Sequence, residues 1–297
     1  MTLLARRSLL LGGLSASAAI SLAAEPESSF TFVHLTDTHI QPELHAADGC
    51  RMCFDAVNRV KPELVIVGGD LVFDAAASAP KRGTEVYDLY AATIKRLEAP
   101  VHTVIGNHDV FGVANSSGVK PSDPLYGKRM FEDRIGKRYY SFTHKGWQFI
   151  ALDSIYLTKT GSFIGRIDDE QLTWLSQELT RIPKERPIVV ITHVPLATSF
   201  LQYASSPATP DMLMVTNARE VLELLWPYKL KAVLQGHTHI RENVNYNGCQ
   251  FITSGAVCGN WWKGLRLGHP EGFGVLKVSK GEIEWGYRTY GFRADIA

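Results

Sequence analysis

Gly106-Asn107-His108-Asp109, standing just after the apolar β-type run Val101 to Ile105, decides how the rest of this 297-residue chain is read. Glycine allows a sharp turn where a strand ends. Asn107 offers a neutral amide oxygen, His108 an imidazole, and Asp109 a carboxylate able to hold that imidazole. By itself the tetrapeptide is most simply a polar turn. It gains weight because four further clusters of metal-type residues close other apolar runs: Asp37-x-His39, Gly69-Asp70, His193, and Gly236-His237-x-His239.

Outward from that stretch the pattern is strand, helix, strand. Phe30 to Thr36 alternates, with Phe32, His34 and Thr36 on one face and Val33 and Leu35 on the other. Leu64 to Val67 and Ile188 to Ile191 are continuous apolar runs, as in strands covered on both faces. Helices are expected from about Cys50 to Val60, Thr84 to Leu97, Asp168 to Leu179 with Asp168 as N-cap, and Ala218 to Trp226. Tyr139 to Thr143 and Trp147 to Leu152 read as a hairpin around Lys145-Gly146, and Ala232 to Leu234 as a short strand. Four more strands follow at Glu242 to Tyr246, Gln250 to Thr253, Phe273 to Val278 and Ile283 to Thr289. Phe111 to Lys137 and Pro195 to Thr216 read as irregular, apart from a short helix near Arg129 to Arg134. The rhythm is that of an α/β fold, whose open sheets bind ligands beyond the carboxyl ends of their strands. All five clusters sit there, offering three carboxylates, one amide and five imidazoles, a donor set suited to zinc, iron or manganese.

An apolar content of 45% with 21% charge predicts a packed core. A formal net charge of +1 argues against strong nucleic-acid binding. Arg6-Arg7, the apolar run Leu9 to Ile20, and the small residues Ser21, Ala23 and Ala24 have the layout of a signal peptide over residues 1–24, of the twin-arginine type. An ordinary secretory signal holding two arginines, or a non-cleaved membrane anchor, is the alternative. Residues 25–297 then form the mature domain, without a membrane span, exported by the twin-arginine machinery to a periplasmic or extracellular location. Cys50-x-x-Cys53 suits a redox pair or half a zinc site, but Cys249 and Cys258 do not repeat that spacing. Disulfides and small buried thiols remain equal alternatives for all four, and no chemistry is assigned to them.

In its order, the set Asp-x-His, Gly-Asp, Gly-Asn-His-Asp, His and Gly-His-x-His resembles the calcineurin-like metallophosphoesterase family, over Phe30 to His239. The resemblance implies a four-layer α/β/β/α sandwich of two mixed sheets with a dinuclear metal site at the strand ends. It implies that Asp37, His39 and His239 bind one metal, that Asp70 bridges, and that Asn107, His193 and His237 bind the other. It implies two divalent or mixed-valence ions of manganese, iron or zinc. His108 is then the catalytic histidine that binds no metal, with Asp109 orienting it. Residues two apart in extended chain point the same way, which would let Asp37 with His39, and His237 with His239, face one cleft. Phe73 stands where purple acid phosphatases carry a tyrosine ligand, so the tyrosinate-ferric type is not expected. Asp74 follows without an assigned role.

The resemblance further implies hydrolysis of a small phosphoester by a metal-bridging hydroxide, with His108 as general acid. A phosphodiester is favoured over a phosphomonoester, and a non-catalytic envelope metal- or phosphate-binding protein is the alternative of another class. Trp261, Trp262 and Arg266 are candidate substrate contacts, two rings to stack and a guanidinium to hold a phosphate oxygen; burial of the tryptophans in the core or in a subunit contact is the alternative. His34, His45, His102 and His144 read as structural, although His34 is close enough in sequence to support the site.

Overall fold

The computed structural model describes residues 29–204 and 210–295, so the expected signal segment lies outside the described residues. The elements run β1 (Phe30–Leu35), α1 (Ala46–Val60), β2 (Leu64–Val67), α2 (Pro80–Ile94), β3 (Val101–Thr103), α3 (Arg129–Arg134), β4 (Tyr140–His144), β5 (Trp147–Ala151), β6 (Ile155–Leu157), β7 (Phe163–Gly165) and α4 (Asp169–Thr180). They continue with β8 (Ile188–Ile191), α5 (Phe200–Ala204), α6 (Pro210–Leu213), α7 (Ala218–Leu225), β9 (Leu230–Gln235), β10 (Arg241–Tyr246), β11 (Cys249–Ser254), β12 (Phe273–Ser279) and β13 (Glu282–Arg288).

Two large sheets form, in the orders β13-β12-β1-β2-β3 and β10-β11-β9-β8-β5-β4. Both are mixed: β1, β2 and β3 run parallel, as do β5, β8, β9 and β11, with antiparallel strands outside them. Because side chains alternate along a strand, each strand feeds two cores. Phe30, Phe32, Leu64 and Ile66 of the first sheet meet Trp147, Phe149, Val189, Ile191, Leu234 and Ile252 of the second in a core between the sheets. Their neighbours turn outward. Val33, Leu35, Val65 and Val67 share a core with Phe54 and Val57 of α1 and Tyr87 and Tyr90 of α2. Ile150, Val190 and Val233 do the same with Leu172 and Leu175 of α4 and Val221 and Leu225 of α7. The result is helix, sheet, sheet, helix, the four layers that the resemblance implied.

Several boundaries differ from the sequence reading. α1 begins at Ala46, four residues early, and α2 begins at Pro80, where a proline lacking an N–H costs nothing in the first turn. Asp168 caps α4, its carboxylate accepting from the Gln171 amide at 2.9 Å. The antiparallel pair β6–β7 was not signalled, because two three-residue strands are too short to show a period. Cys50, Cys53, Cys249 and Cys258 are all buried free thiols. His102 stacks on Phe142 at 3.6 Å, and His34 spans the inner core to Ser254 of the other sheet, 2.9 Å from Nδ1 to Oγ. Among the described residues no helix is long and apolar enough to cross a membrane.

Candidate metal centre and active site

The parallel strands of both sheets point their carboxyl ends at one edge of the sandwich. Asp37 and His39 follow β1, Asp70 follows β2, Asn107 and His108 follow β3, His193 follows β8, and His237 and His239 follow β9. The loops that carry them are tied backbone to backbone: the Asp37 amide donates to the Gly69 carbonyl at 3.0 Å, and the His39 amide to the Asp70 carbonyl at 2.9 Å. Gly106 is required for close approach and not, as expected, for its torsions. A Cβ there would lie 2.2 Å from both the amide nitrogen and Oδ1 of Asp70.

The local conformation corrects the expectation of extended chain. Asp37, His39, Asp70, His237 and His239 have φ values of 55°, 39°, 52°, 72° and 59°, a left-handed region that side-chain-bearing residues rarely occupy. The Asp-x-His and His-x-His pairs therefore share a cleft by way of two strained turns. Such strain persists only where surrounding structure holds it, and it concentrates at functional sites.

Around the cleft the polar atoms converge. His39 Nε2 lies 3.1 Å from His239 Nε2, 3.4 Å from Asp70 Oδ2 and 3.9 Å from Asp37 Oδ1. His239 Nε2 is 3.2 Å from Asp37 Oδ1. On the other side of Asp70, His193 Nε2 lies 3.2 Å from both Asp70 Oδ2 and Asn107 Oδ1. His237 joins Asp70 and His193 in a group whose donor atoms all lie within 4.8 Å of one another. Asp70 thus stands between two clusters, one with His39 and the other with His193. The far nitrogen of each of three rings is committed to a carbonyl: His39 Nδ1 to Phe73, His193 Nδ1 to Gly68 and His239 Nδ1 to Gly259, at 3.3, 2.8 and 2.6 Å. A carbonyl only accepts, so each Nδ1 carries a proton, and in the neutral ring each Nε2 turns its lone pair into the cleft, the orientation of metal-binding histidines. Phe73 enters the site through its backbone, as the acceptor that aims His39.

Charge follows the same logic. Burial, with the neighbouring His108 and His239, holds His39 down at about 3, and burial, with His193, holds His237 at about 4. Against burial, His239 and His193 keep the Asp37 carboxyl down at about 2, and the histidines around Asp70 keep it ionised. Those two carboxylates pull positive charge inward. Against its burial, Asp70 lifts His193 to about 9, while the Cys258 sulfur and Asp37 lift His239. A metal cation meets that demand as well as a proton does, and opposed nitrogen lone pairs 3.1 Å apart give it donors. The residues present fit a metal site.

One residue of the anticipated site has a different place. Asp109 does not orient His108. Its Oδ1 accepts from the Leu71 and Val72 amides at 2.7 and 3.2 Å, and its Oδ2 from the Gly106 amide at 2.8 Å. It is fully buried and staples the loop after β3 to the loop after β2. Burial and the Asp70 charge push its carboxyl up, to about 8, while the amide donors pull it back. The carboxylate beside His108 is Asp74, 3.9 Å from His108 Nδ1, which the sequence left without a role. The His108 amide donates to Asp70 Oδ1 at 2.8 Å, and its half-buried ring stands edge-on to His39 at 4.7 Å.

The two tryptophans separate. Trp261 is half-buried, its ring centroid 4.6 Å from His239 and 5.9 Å from His39, with the Arg266 guanidinium carbon 5.4 Å from its own centroid. Trp262 is 1% exposed and has its indole N–H on the carbonyls of Thr38 and His39. It faces the core and not a substrate, which corrects the expectation of a stacking pair. The unsignalled β6–β7 pair supplies one more wall, Phe163, edge-on to His237 at 5.9 Å.

A profile of calcineurin-like phosphoesterases matches residues 30–241. The chain is 25% identical over 255 residues to the 3',5'-cyclic adenosine monophosphate phosphodiesterase CpdA of Escherichia coli (strain K12), covering 80% of each chain. It is 26% identical over 237 residues to a probable glycerophosphodiester phosphodiesterase, GpdQ, of Arcobacter nitrofigilis, covering 75% of this chain and 76% of that one. Among solved structures, a dimetal phosphatase from Danio rerio superposes with a TM-score of 0.59 at 17% identity, over 88% of this chain and 99% of that chain, and so shares the fold.

Proposed function

Since the chain belongs to the calcineurin-like phosphoesterase family, we propose that it is a two-metal hydrolase of small phosphodiesters. The observation that carries the reading is the set of Nε2 lone pairs and carboxylate oxygens gathered on both sides of Asp70. Asp37, His39 and His239 would hold one ion and Asn107, His193 and His237 the other, with Asp70 between the two groups. Manganese, iron and zinc all suit this donor set. Bound there, such ions supply Lewis acidity, offsetting phosphate charge and acidifying water.

The chain's own residues do the rest. Asn107 contributes an oxygen without a charge, which keeps the centre net positive toward an anionic ester. His108 reaches the cleft without a carbonyl on its Nδ1, which lies 3.9 Å from Asp74, so it is placed to give a proton to the departing oxygen. Arg266, held over Trp261, is placed to grip a non-bridging phosphate oxygen.

The preference for diesters rests on the two phosphodiesterases to which the chain is similar. Protein reloaded with Mn²⁺, Fe²⁺ or Zn²⁺ is expected to hydrolyse bis-para-nitrophenyl phosphate faster than para-nitrophenyl phosphate. Tight metal with no turnover of any phosphoester would instead make it a metal- or phosphate-binding protein. We also infer export to the periplasm or beyond, supported by Arg6-Arg7 and the apolar run that follows. Replacing both arginines by lysine should then leave the protein in the cytoplasmic fraction.

A further inference from the structure

Beyond the family-matched residues, which end at 241, one loop touches the first metal cluster at every level. The carbonyls of Thr36, Asp37, Thr38 and His39 all need donors, because the left-handed turns take them out of any ladder. Residues 257–262 supply each of them. The Val257 amide donates to the Thr36 carbonyl at 2.9 Å and the Cys258 amide to the Asp37 carbonyl at 3.1 Å. The Trp262 indole N–H is shared between the Thr38 and His39 carbonyls, at 3.1 and 3.0 Å. The same loop turns the Gly259 carbonyl onto His239 Nδ1 at 2.6 Å, aiming the other ring of that cluster.

The indole is itself held firmly. Trp262 takes a left-handed backbone, φ 68°, closed by its own amide donating to the Cys258 carbonyl at 2.7 Å. Gly49 of α1 makes room for the ring: a Cβ there would lie 2.1 Å from Trp262 Cζ3. Phe292 meets the ring edge-on at 5.0 Å. A filler of the core needs none of this directional bonding, and a substrate contact would not be buried behind the turn.

We propose that Trp262 is a positioning residue for metal binding: its indole N–H, with the amides of Val257 and Cys258, locks the turn that presents Asp37 and His39. The inference rests on the reading of Asp37, His39 and His239 as ligands. Two buried carbonyls share one donor, so its loss frees the His39 carbonyl, and with it the ring direction, while leaving the hydrophobic contact largely in place. Partners that orient ligands are worth roughly 10- to 100-fold in metal affinity.

The test is Mn²⁺ binding by calorimetric titration of metal-free protein, with Trp262→Phe compared with Trp147→Phe. Trp147 is equally buried, between the sheets, and bears on no ligand turn. Trp262→Phe is expected to bind Mn²⁺ roughly tenfold more weakly, and Trp147→Phe with wild-type affinity even where its urea midpoint falls. Phe292→Ala loosens the indole without touching its N–H and should weaken Mn²⁺ binding in the same direction; it carries the test if Trp262→Phe does not fold. Wild-type affinity in Trp262→Phe, or in Phe292→Ala when that variant carries the test, overturns the positioning role. So does an equal loss in Trp147→Phe. Wild-type protein that binds no Mn²⁺ overturns the ligand reading itself, which is a different failure.

Discussion

His39 and His239 face each other Nε2 to Nε2 at 3.1 Å, each with its Nδ1 proton given to a backbone carbonyl. Two imidazoles 200 positions apart, so arranged, repel unless a proton or cation lies between them. The carboxylates of Asp37 and Asp70 at 3.2–3.4 Å supply the balancing charge.

Metal and stability are therefore coupled. Chelation should abolish turnover and lower the melting temperature, and re-addition of Mn²⁺ at a hundred times its dissociation constant should restore about 2.7 kcal/mol. Asp70→Asn should lose both metals and activity together. An Asp70→Asn protein that keeps full metal content by elemental analysis contradicts the bridging role.

His108 and Asp109 should part company on mutation. His108→Ala is expected to lower kcat roughly 10²- to 10⁴-fold with metal content retained. Asp74→Asn, which removes the carboxylate 3.9 Å from His108 Nδ1, should lower kcat less. Asp109→Ala strands three buried amides and should cost roughly 2–4 kcal/mol in urea unfolding. If metal loss in His108→Ala tracks the activity loss, the proton-donor role does not hold.

His34 should make the fold acid-sensitive. Burial holds this imidazole down at about 3, although Asp37 opposes, while the unfolded chain takes up a proton near 6.5. The unfolded state thus binds more protons below pH 6.5, and stability falls as pH drops from there toward 3, with no contribution above. The slope from this group approaches about 1.4 kcal/mol per pH unit. His34→Gln, which keeps an amide toward Ser254, should show a shallower acid slope; parallel curves would refute the assignment.

Arg266 should act on binding more than on turnover. A charge-assisted hydrogen bond to phosphate is worth about 1.5–3 kcal/mol, so Arg266→Ala should raise KM roughly tenfold or more with kcat nearly unchanged. Trp261→Ala, removing the ring beneath the guanidinium, should give a smaller change in the same direction. An unchanged KM in both would place the substrate elsewhere on the rim.

By itself the sequence determined an α/β fold with the polar clusters at its strand ends; the four layers came with the family resemblance. Alternation along Phe30–Leu35 and the doubly apolar run Ile188–Ile191 assign inner and outer faces locally, and polar residues at strand ends have only one end of the sheet to occupy. Only the tertiary structure decided how those residues are aimed. The Asp-x-His pair reaches the cleft through left-handed turns that no spacing rule foresees. His108 finds Asp74 and not its own neighbour Asp109, because the turn after β3 directs adjacent side chains to opposite sides. Trp262 locks Thr38 from 224 positions away, where the chain returns behind the site. Periodicity records which face a residue shares with its neighbours; it holds no record of which distant loop supplies the donor for a stranded carbonyl.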